Sequence, residues 1–143
     1  MEVFSNPQPQ KAIALLKENG LPTLDLDVRQ FENFLYLGEA DNPIGIVGLE
    51  ILDSIALLRS LAVSKNVQSK GHGKTLVIAI ENYARSKNIR EFYLLTETAE
   101  IFFKKLNYKS IQKESAPKPI KATSEFSSVC PQSSVLMTKK LLA

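Results

Sequence analysis

The chain has no tryptophan, one histidine (His72) and one cysteine (Cys130) among its 143 residues. A single thiol excludes an internal disulfide and a cysteine-cluster metal site, and a single imidazole excludes the usual histidine-based zinc constellations, so no metal is expected. No apolar run approaches the ~20 residues that span a bilayer. The N-terminal MEVFSNPQPQ has no signal-peptide pattern, which makes the cytoplasm the expected location, with no membrane partner. Net charge is also small, at +3 with a pI near 9.0, and Lys and Arg are scattered rather than clustered. That distribution argues against nucleic acid as a partner and suits an anionic small ligand. What remains, 44% hydrophobic and 23% charged, is the composition of an ordinary globular protein, read as a single domain over residues 1–143.

Glu2–Phe4 reads as a short strand broken by Asn6-Pro7 and Pro9. From Pro9 the spacing of Ala12, Ile13, Leu15 and Leu16 predicts a helix, which Gly20, Leu21 and Pro22 stop. Asp25–Phe31 reads as a short second helix. Asn33–Ala40 and Ile44–Leu52 are strands around the turn Asp41-Asn42-Pro43, and Asp53-Ser54 turns into a third strand, Ile55–Val63. Connections this short make the three an antiparallel meander. Gly45 and Gly48 inside the middle strand predict a bulge or the close approach of another backbone. Lys74–Lys87 carries Leu76, Val77, Ile80, Tyr83 and Ala84 on one helical face. Glu91–Thr96, reached through that helix, should lie parallel to Ile55–Val63. Ala99–Leu106 is a short helix and Tyr108–Gln112 a strand. Lys113–Pro131, with Pro117, Pro119 and Pro131, reads as a long polar loop, and Ser134–Leu141 as the strand that closes the sheet. The class is α/β, with a mixed sheet of the α+β kind.

Chemistry concentrates in Ile55–Thr75, IALLRSLAVSKNVQSKGHGKT, where an apolar strand feeds a helix through a turn bearing Gly71 and Gly73. A helix that starts this way leaves its first amides unpaired, and with the positive end of its dipole they form a seat for a phosphate or diphosphate. Two registers compete. Gly73-Lys74-Thr75 ends the nucleotide-hydrolase motif GxxxxGK(S/T), but the first glycine of that motif falls on Gln68 and no apolar strand ending in aspartate follows. An antiparallel meander is also wrong for a parallel nucleotide-hydrolase sheet. The other register is Gln68-x-x-Gly71-x-Gly73, in which glycine lets the backbone approach the phosphates and Lys70 and Lys74 add positive charge.

In this register the chain resembles the GNAT acetyltransferases, whose signature Q/R-x-x-G-x-G/A wraps the pyrophosphate of acetyl-CoA. Ala99–Tyr108, AEIFFKKLNY, resembles the family's closing AxxFYxKxGF, matching at Ala99, Phe102 and Lys105, with Tyr108 an aromatic substitute at its end. The resemblance implies the GNAT, or acyl-CoA N-acyltransferase, fold: a central mixed, mostly antiparallel sheet flanked by helices. It implies acetyl-CoA as co-substrate. Leu61, Ala62 and Val63 would pair through their backbone with the pantetheine arm as an added strand does. Gln68, Ser69, Lys70, Gly71, His72, Gly73, Lys74 and Thr75 would hold the diphosphate, and Thr96, Phe102, Phe103 and Lys105 would complete the cofactor side. Against this stand plainer readings: Phe102 and Tyr108 as core, Lys70 and Lys74 as solvated charges, His72 as a neighbour of the phosphates rather than a catalyst.

Acetyl transfer to an amine needs a deprotonated nucleophile, a polarised thioester carbonyl and a proton for the departing thiolate. The carboxylate that many family members carry before the signature would fall near Leu57 and is absent, leaving Glu50, Asp53 and Glu97. Glu50 is the expected base, with a plain surface acid as the alternative. The family's tyrosine falls on Phe103, which cannot donate a proton, and Thr96 stands where the family often has an asparagine. Arg59, by alternation on a face with Leu57, Leu61 and Val63, either pairs with Glu50 or clamps a carboxylate or oxyanion of the substrate; the clamp is expected. Pro119–Met137 should form the acceptor side, anchored by Phe126 and Val129, with Thr123, Glu125, Ser127, Ser128 and Cys130 offering side chains and Cys130 otherwise buried. This stretch, with ALLRSLAV and LLTETAEIFF, resembles the small bacterial acetyltransferases associated with arsenic-resistance operons. That implies an amine-bearing toxic compound as acceptor, an organoarsenical amino acid among the candidates. One cysteine is too few for an arsenic-chelating site. The expected activity is therefore acetyl-CoA-dependent N-acetyl transfer to a small-molecule amine. The alternatives are a non-catalytic acyl-CoA-binding module and a protein or peptide N-acetyltransferase, and a homodimer stays open.

Overall fold

A computed structural model of the protein describes residues 2–129 and 132–141, with the backbone alone at 128 and 129. In chain order its elements are β1 (Val3–Ser5), α1 (Pro9–Glu18), a 3₁₀ turn (Val28–Asn33), β2 (Phe34–Glu39), β3 (Asn42–Leu52), β4 (Ile55–Val63), α2 (His72–Ser86), β5 (Glu91–Thr96), α3 (Glu100–Lys105), β6 (Lys109–Ile111), α4 (Lys118–Lys121) and β7 (Val135–Lys140). The seven strands form one sheet in the order β1-β2-β3-β4-β5-β7-β6, antiparallel throughout except between β4 and β5. The meander and the single parallel crossover through α2 are as the connection lengths require. The last strand, however, does not close the sheet. β7 inserts between β5 and β6 and leaves the three-residue β6 at the edge.

Each face of the sheet is covered by the helix whose apolar stripe fits it. Leu76, Val77, Ile80 and Ala84 of α2 and Phe103 of α3 pack on Leu35, Val47, Leu49, Ala56, Leu58, Phe92 and Leu94. The other face carries two separate apolar patches. One joins Ala12, Leu15 and Leu16 of α1 to Phe31, Phe34, Ile46 and Ala62. The second joins Ile120 of α4 and Ala116 to Leu57, Tyr93 and Leu136. The seam between these patches crosses β4 at Arg59, between Leu57 and Ala62. Tyr108 belongs to the interior: its hydroxyl donates to Glu81 Oε2 at 2.8 Å, and the same carboxylate accepts from Lys139 Nζ at 2.9 Å.

Several expectations change for identifiable reasons. Asp25–Phe31 is not a helix; the turn begins after Asp27, whose Oδ1 accepts from the amides of Arg29 and Gln30 while Gln30 Oε1 accepts from the amide of Asp27. That reciprocal capping is a start signal, Asp-x-x-Gln, that outranks apolar spacing over so short a span. Lys113–Pro131 is not structureless. It holds turns at Lys113–Ser115 and Glu125–Val129 as well as α4, and Pro119 lies in the first turn of α4, where a missing N–H does no harm. Of the two expectations for Gly45 and Gly48 the bulge holds, since the β3–β4 register shifts between Ile46 and Gly48, whereas the close approach at Gly48 is made by a side chain: a Cβ there would sit 2.2 Å from the Phe34 ring. Among the described residues no helix is long and apolar enough to cross a membrane.

Candidate functional site

The site is made by two strands that part. β4 and β5 are in register only over Ile55–Leu57 and Glu91–Tyr93, and beyond those pairs each continues alone, β4 to Val63 and β5 to Thr96. A bulge on β4 drives the separation. Gly48 pairs with Arg59 and Ile46 with Ala62, so β4 spends three residues where β3 spends two, and Ser60 takes the extra step at φ 61°. The bulge resets side-chain alternation. Arg59 therefore shares its face with Leu57 but not, as strict alternation predicts, with Leu61 and Val63, which turn toward the α2 side. Between the parted strands lies a cleft of about 590 Å³ lined by Leu58–Leu61, Leu94–Ala99, Phe103, Glu125 and Ser134, with Asn19–Pro22 and Leu24 above it.

β4 leads from this cleft to the glycine turn. Gln68 Nε2 donates to Val63 O at 2.9 Å and to Asn19 Oδ1 at 3.2 Å, and the amide of Lys65 donates to Glu18 Oε2, so the turn is fastened to β4 and to the end of α1. The Gln68 side chain thus holds the turn in place. Ser69 (φ 67°) and Gly71 (φ 84°) both take left-handed backbone, and α2 begins at His72 with no side chain capping it. Thr75 closes the turn from inside: its amide and its hydroxyl both donate to Gly71 O at 3.1 Å. The amides of the first helical turn are left as orphan donors backed by the helix dipole. Lys70 and Lys74 are exposed beside them and His72 is half-buried.

The two glycines serve different ends. At Gly71 a Cβ would meet nothing within 4 Å, so the requirement there is the positive φ. At Gly73 a Cβ would lie 3.3 Å from Phe102 Cζ, so the requirement is room for that ring. Phe102 stands edge-on to Phe103 at 5.0 Å between centroids, and Phe103 lines the cleft. The turn and the cleft are therefore one ring apart. Phe103 stands where the closing motif has tyrosine and brings no proton donor. Asn107 stands where that motif has glycine and keeps the left-handed backbone, at φ 73°. Thr96 Oγ1 accepts from the Ala99 amide at 3.0 Å, shaping the loop into α3. Lys105 is exposed on the last turn of α3.

Across the cleft the seam at Arg59 is filled with charge. The guanidinium, its side chain 1% exposed, donates from Nη1 to Asp25 Oδ2 and from Nη2 to Asp25 Oδ1 at 2.9 Å. Nη1 also reaches Glu50 Oε1 at 2.7 Å, and Nε lies 3.2 Å from Glu125 Oε1 and 3.1 Å from Ser60 Oγ. The pairing with Glu50 is present, and two further carboxylates join it. A substrate carboxylate finds no open fork, so the expected clamp gives way to a support for the wall. Partial burial works to raise the Asp25 carboxyl, but the hydrogen bond and charge of Arg59 outweigh it and hold the group below the ordinary carboxylate range.

The other expected acceptor residues divide. Glu125 lines the cleft, whereas Glu50 lies behind Arg59 beside a shallower hollow bounded by Asp27, Arg29, Gln30 and Leu49–Leu52. Asp53 turns at the far end of β4 and is exposed. Thr123 is buried, its hydroxyl donating to Ile120 O and accepting from the Phe126 amide, and Phe126 packs against the α4 patch. Glu97 lines the cleft and accepts from Ser133 Oγ at 2.6 Å. Cys130 lies outside the described residues. Sequence reasoning missed Asp25. The available signal was a mid-strand arginine, which desolvation makes too costly to leave with one carboxylate; nothing in the spacing says that a residue 34 positions upstream supplies the second.

The family model of the acetyltransferase (GNAT) family matches residues 4–108. The chain belongs to that family. Of its relatives, an uncharacterized N-acetyltransferase of Chlorobaculum tepidum is 38% identical over 66 residues, 46% of this chain and 42% of that one. Among solved structures, N-acetylglutamate synthase of Neisseria gonorrhoeae, complexed with coenzyme A and N-acetyl-glutamate, superimposes with a TM-score of 0.81 at 18% identity, over 99% of this chain and 35% of that one. Rv2747 of Mycobacterium tuberculosis, in complex with CoA, gives 0.77 at 18% identity over 99% of this chain and 100% of that one. Both likenesses are of fold. The match to the Chlorobaculum relative spans under half of that protein's length, and this chain spans about a third of the Neisseria enzyme.

Proposed function

We propose that the protein is an acetyl-CoA-dependent N-acetyltransferase acting on a small-molecule amine. One observation carries the reading: a cleft between parted strands that leads, within one aromatic ring, to an uncapped helix start. The diphosphate of CoA would sit on the amides of Gly71–Lys74 with Lys70 and Lys74 beside it. The pantetheine arm would run along Leu61–Val63, beyond the last β5 pairing, with Thr96, Phe102 and Phe103 opposite and Lys105 toward the nucleotide. Gln68, Ser69 and Thr75 would hold the turn in shape. In the reaction the amine nitrogen attacks the thioester carbonyl, the C–S bond breaks, and CoA leaves as a thiolate. Glu97 and Glu125, the carboxylates lining the cleft, would receive the amine's proton, and Glu50 would act on Glu125 through Arg59. With phenylalanine at 103, the thiolate leaves unprotonated and takes its proton from solvent, which a thiol pKa near ~8.5 allows.

Thiol release from acetyl-CoA across a panel of amines tests this. Amine-dependent release supports it. Tight CoA binding with no release to any amine would favour a non-catalytic acyl-CoA-binding module. A protein or peptide acceptor finds less support, because Asn19–Pro22, Leu24 and Glu125 wall the cleft. The narrower resemblance to arsenic-resistance acetyltransferases proposes a toxic amine as acceptor, and resistance of cells expressing the chain to amine-bearing organoarsenicals would support it. The carboxylates already paired with Arg59 weigh against those organoarsenicals that carry a carboxylate.

A further inference from the structure

The residue that takes the extra step of the β4 bulge is a serine, not the glycine that its backbone favours. Ser60 is 9% exposed, lines the cleft, and is held at φ 61°, where any side chain is costly. Strain of that kind persists where the surrounding structure imposes it, and it gathers at active sites. What serine adds over glycine here is one oxygen. Arg59 Nε donates to that oxygen at 3.1 Å, while Nη1 and Nη2 of the same guanidinium are held by Asp25 and Glu50. A hydroxyl that accepts from a cation still has its own proton to give, and the bond it accepts strengthens the bond it donates. Among the described residues that proton meets no acceptor. Position decides what it could meet. The pantetheine arm proposed along Leu61–Val63 runs back from the glycine turn, so its thioester end falls one residue further along β4, at Ser60.

We propose that the Ser60 hydroxyl, polarised by Arg59 Nε, donates to the thioester oxygen of acetyl-CoA, a role that rests on the cleft being the acetyl-transfer site. As the amine nitrogen bonds to the carbonyl carbon, the C=O π electrons move onto oxygen, and the Ser60 bond strengthens as that charge develops. Collapse re-forms the C=O bond, breaks the C–S bond and releases CoA as thiolate. Ser60 keeps its proton throughout, and the amine's proton still leaves to a carboxylate of the cleft. Arg59 is then a positioning residue, which aims the hydroxyl without touching the substrate.

Two substitutions separate the oxygen from the backbone. Ser60→Gly removes the hydroxyl and relieves the left-handed strain, whereas Ser60→Ala removes the hydroxyl and keeps the strain. Urea unfolding should therefore find the glycine variant the more stable of the two. In amine-dependent thiol release both should lose about 100-fold in kcat, with KM for acetyl-CoA moving by about threefold or less. Retention of the parent kcat by either variant would overturn the proposal. Infrared spectra of bound acetyl-CoA carrying carbon-13 at the thioester carbonyl give a second readout that needs no acceptor. A donated hydrogen bond weakens the C=O bond, so the carbonyl band should lie lower in the parent than in both variants. If no amine is acetylated, the transfer reading fails, yet a lower band in the parent still upholds the contact between Ser60 and the thioester. A band at the same position in all three proteins, or no binding of acetyl-CoA to the parent, overturns it.

Discussion

The two sides of the cleft are built from different materials. The cofactor side is main chain: a bulged strand edge, a turn held in left-handed conformations at Ser69 and Gly71, and the first amides of α2. Its ligand groups are exposed, and little of the fold depends on them. The acceptor side is a set of buried charged side chains drawn from residues 25, 50, 59 and 125, and it fills the seam between two apolar patches. The first should therefore lose CoA binding without losing stability when altered, and the second should lose stability while CoA binding persists.

Arg59→Met attacks the second side hardest. It strands three carboxylates around an apolar side chain, and removing one partner of a buried ion cluster costs roughly 3–5 kcal/mol. Denaturant unfolding should register that loss, while the molecules that remain folded keep their CoA affinity. Gly71→Glu attacks the first side. A Cβ meets nothing there, so the fold bears only the left-handed strain, but a carboxylate faces the diphosphate; CoA affinity should fall by roughly 100-fold, about 3 kcal/mol, by calorimetry. If Arg59→Met left stability intact, or Gly71→Glu unfolded the protein, the contrast between the two sides would be lost.

Asp25 gives a smaller, pH-dependent effect. Its carboxyl is lowered in the folded state, so its contribution is complete above the ordinary carboxylate pKa near ~4 and disappears as pH falls through the folded value. Asp25→Asn should be less stable than the parent at pH 7, and the gap should shrink toward pH 3 in parallel urea titrations. A gap that stays constant with pH would mean that the pairing carries no charge-dependent stability. Gly73→Ala is the mildest change. Its methyl crowds Phe102 at 3.3 Å, and a ring able to shift by tenths of an ångström limits the cost to about 1 kcal/mol or less, read as a small drop in melting temperature.

The same contrast explains what could be read from the chain alone. The cofactor side is contiguous, and its requirements are local: a strand, a glycine that must take positive φ, a helix start. Gln68, Gly71 and Gly73 carry those requirements at fixed spacing, and the crossover rule supplied the parallel partner. The acceptor side is assembled by long-range register, which spacing does not encode. The bulge at Ser60 re-aimed everything after Arg59, the Asp27–Gln30 cap moved the preceding turn, and Asp25 entered the site unannounced. Proline in the 113–131 segment was ambiguous for a physical reason, since it marks loops and first helical turns alike.

The central claim is that main-chain donors at the start of α2 hold the diphosphate. Amide resonances followed by NMR during a CoA titration test it most directly. Gly71, His72, Gly73 and Lys74 should show the largest shifts, with the amides around Asp25 and Arg59 moving little. Saturable CoA binding that left those four amides unmoved would contradict the account.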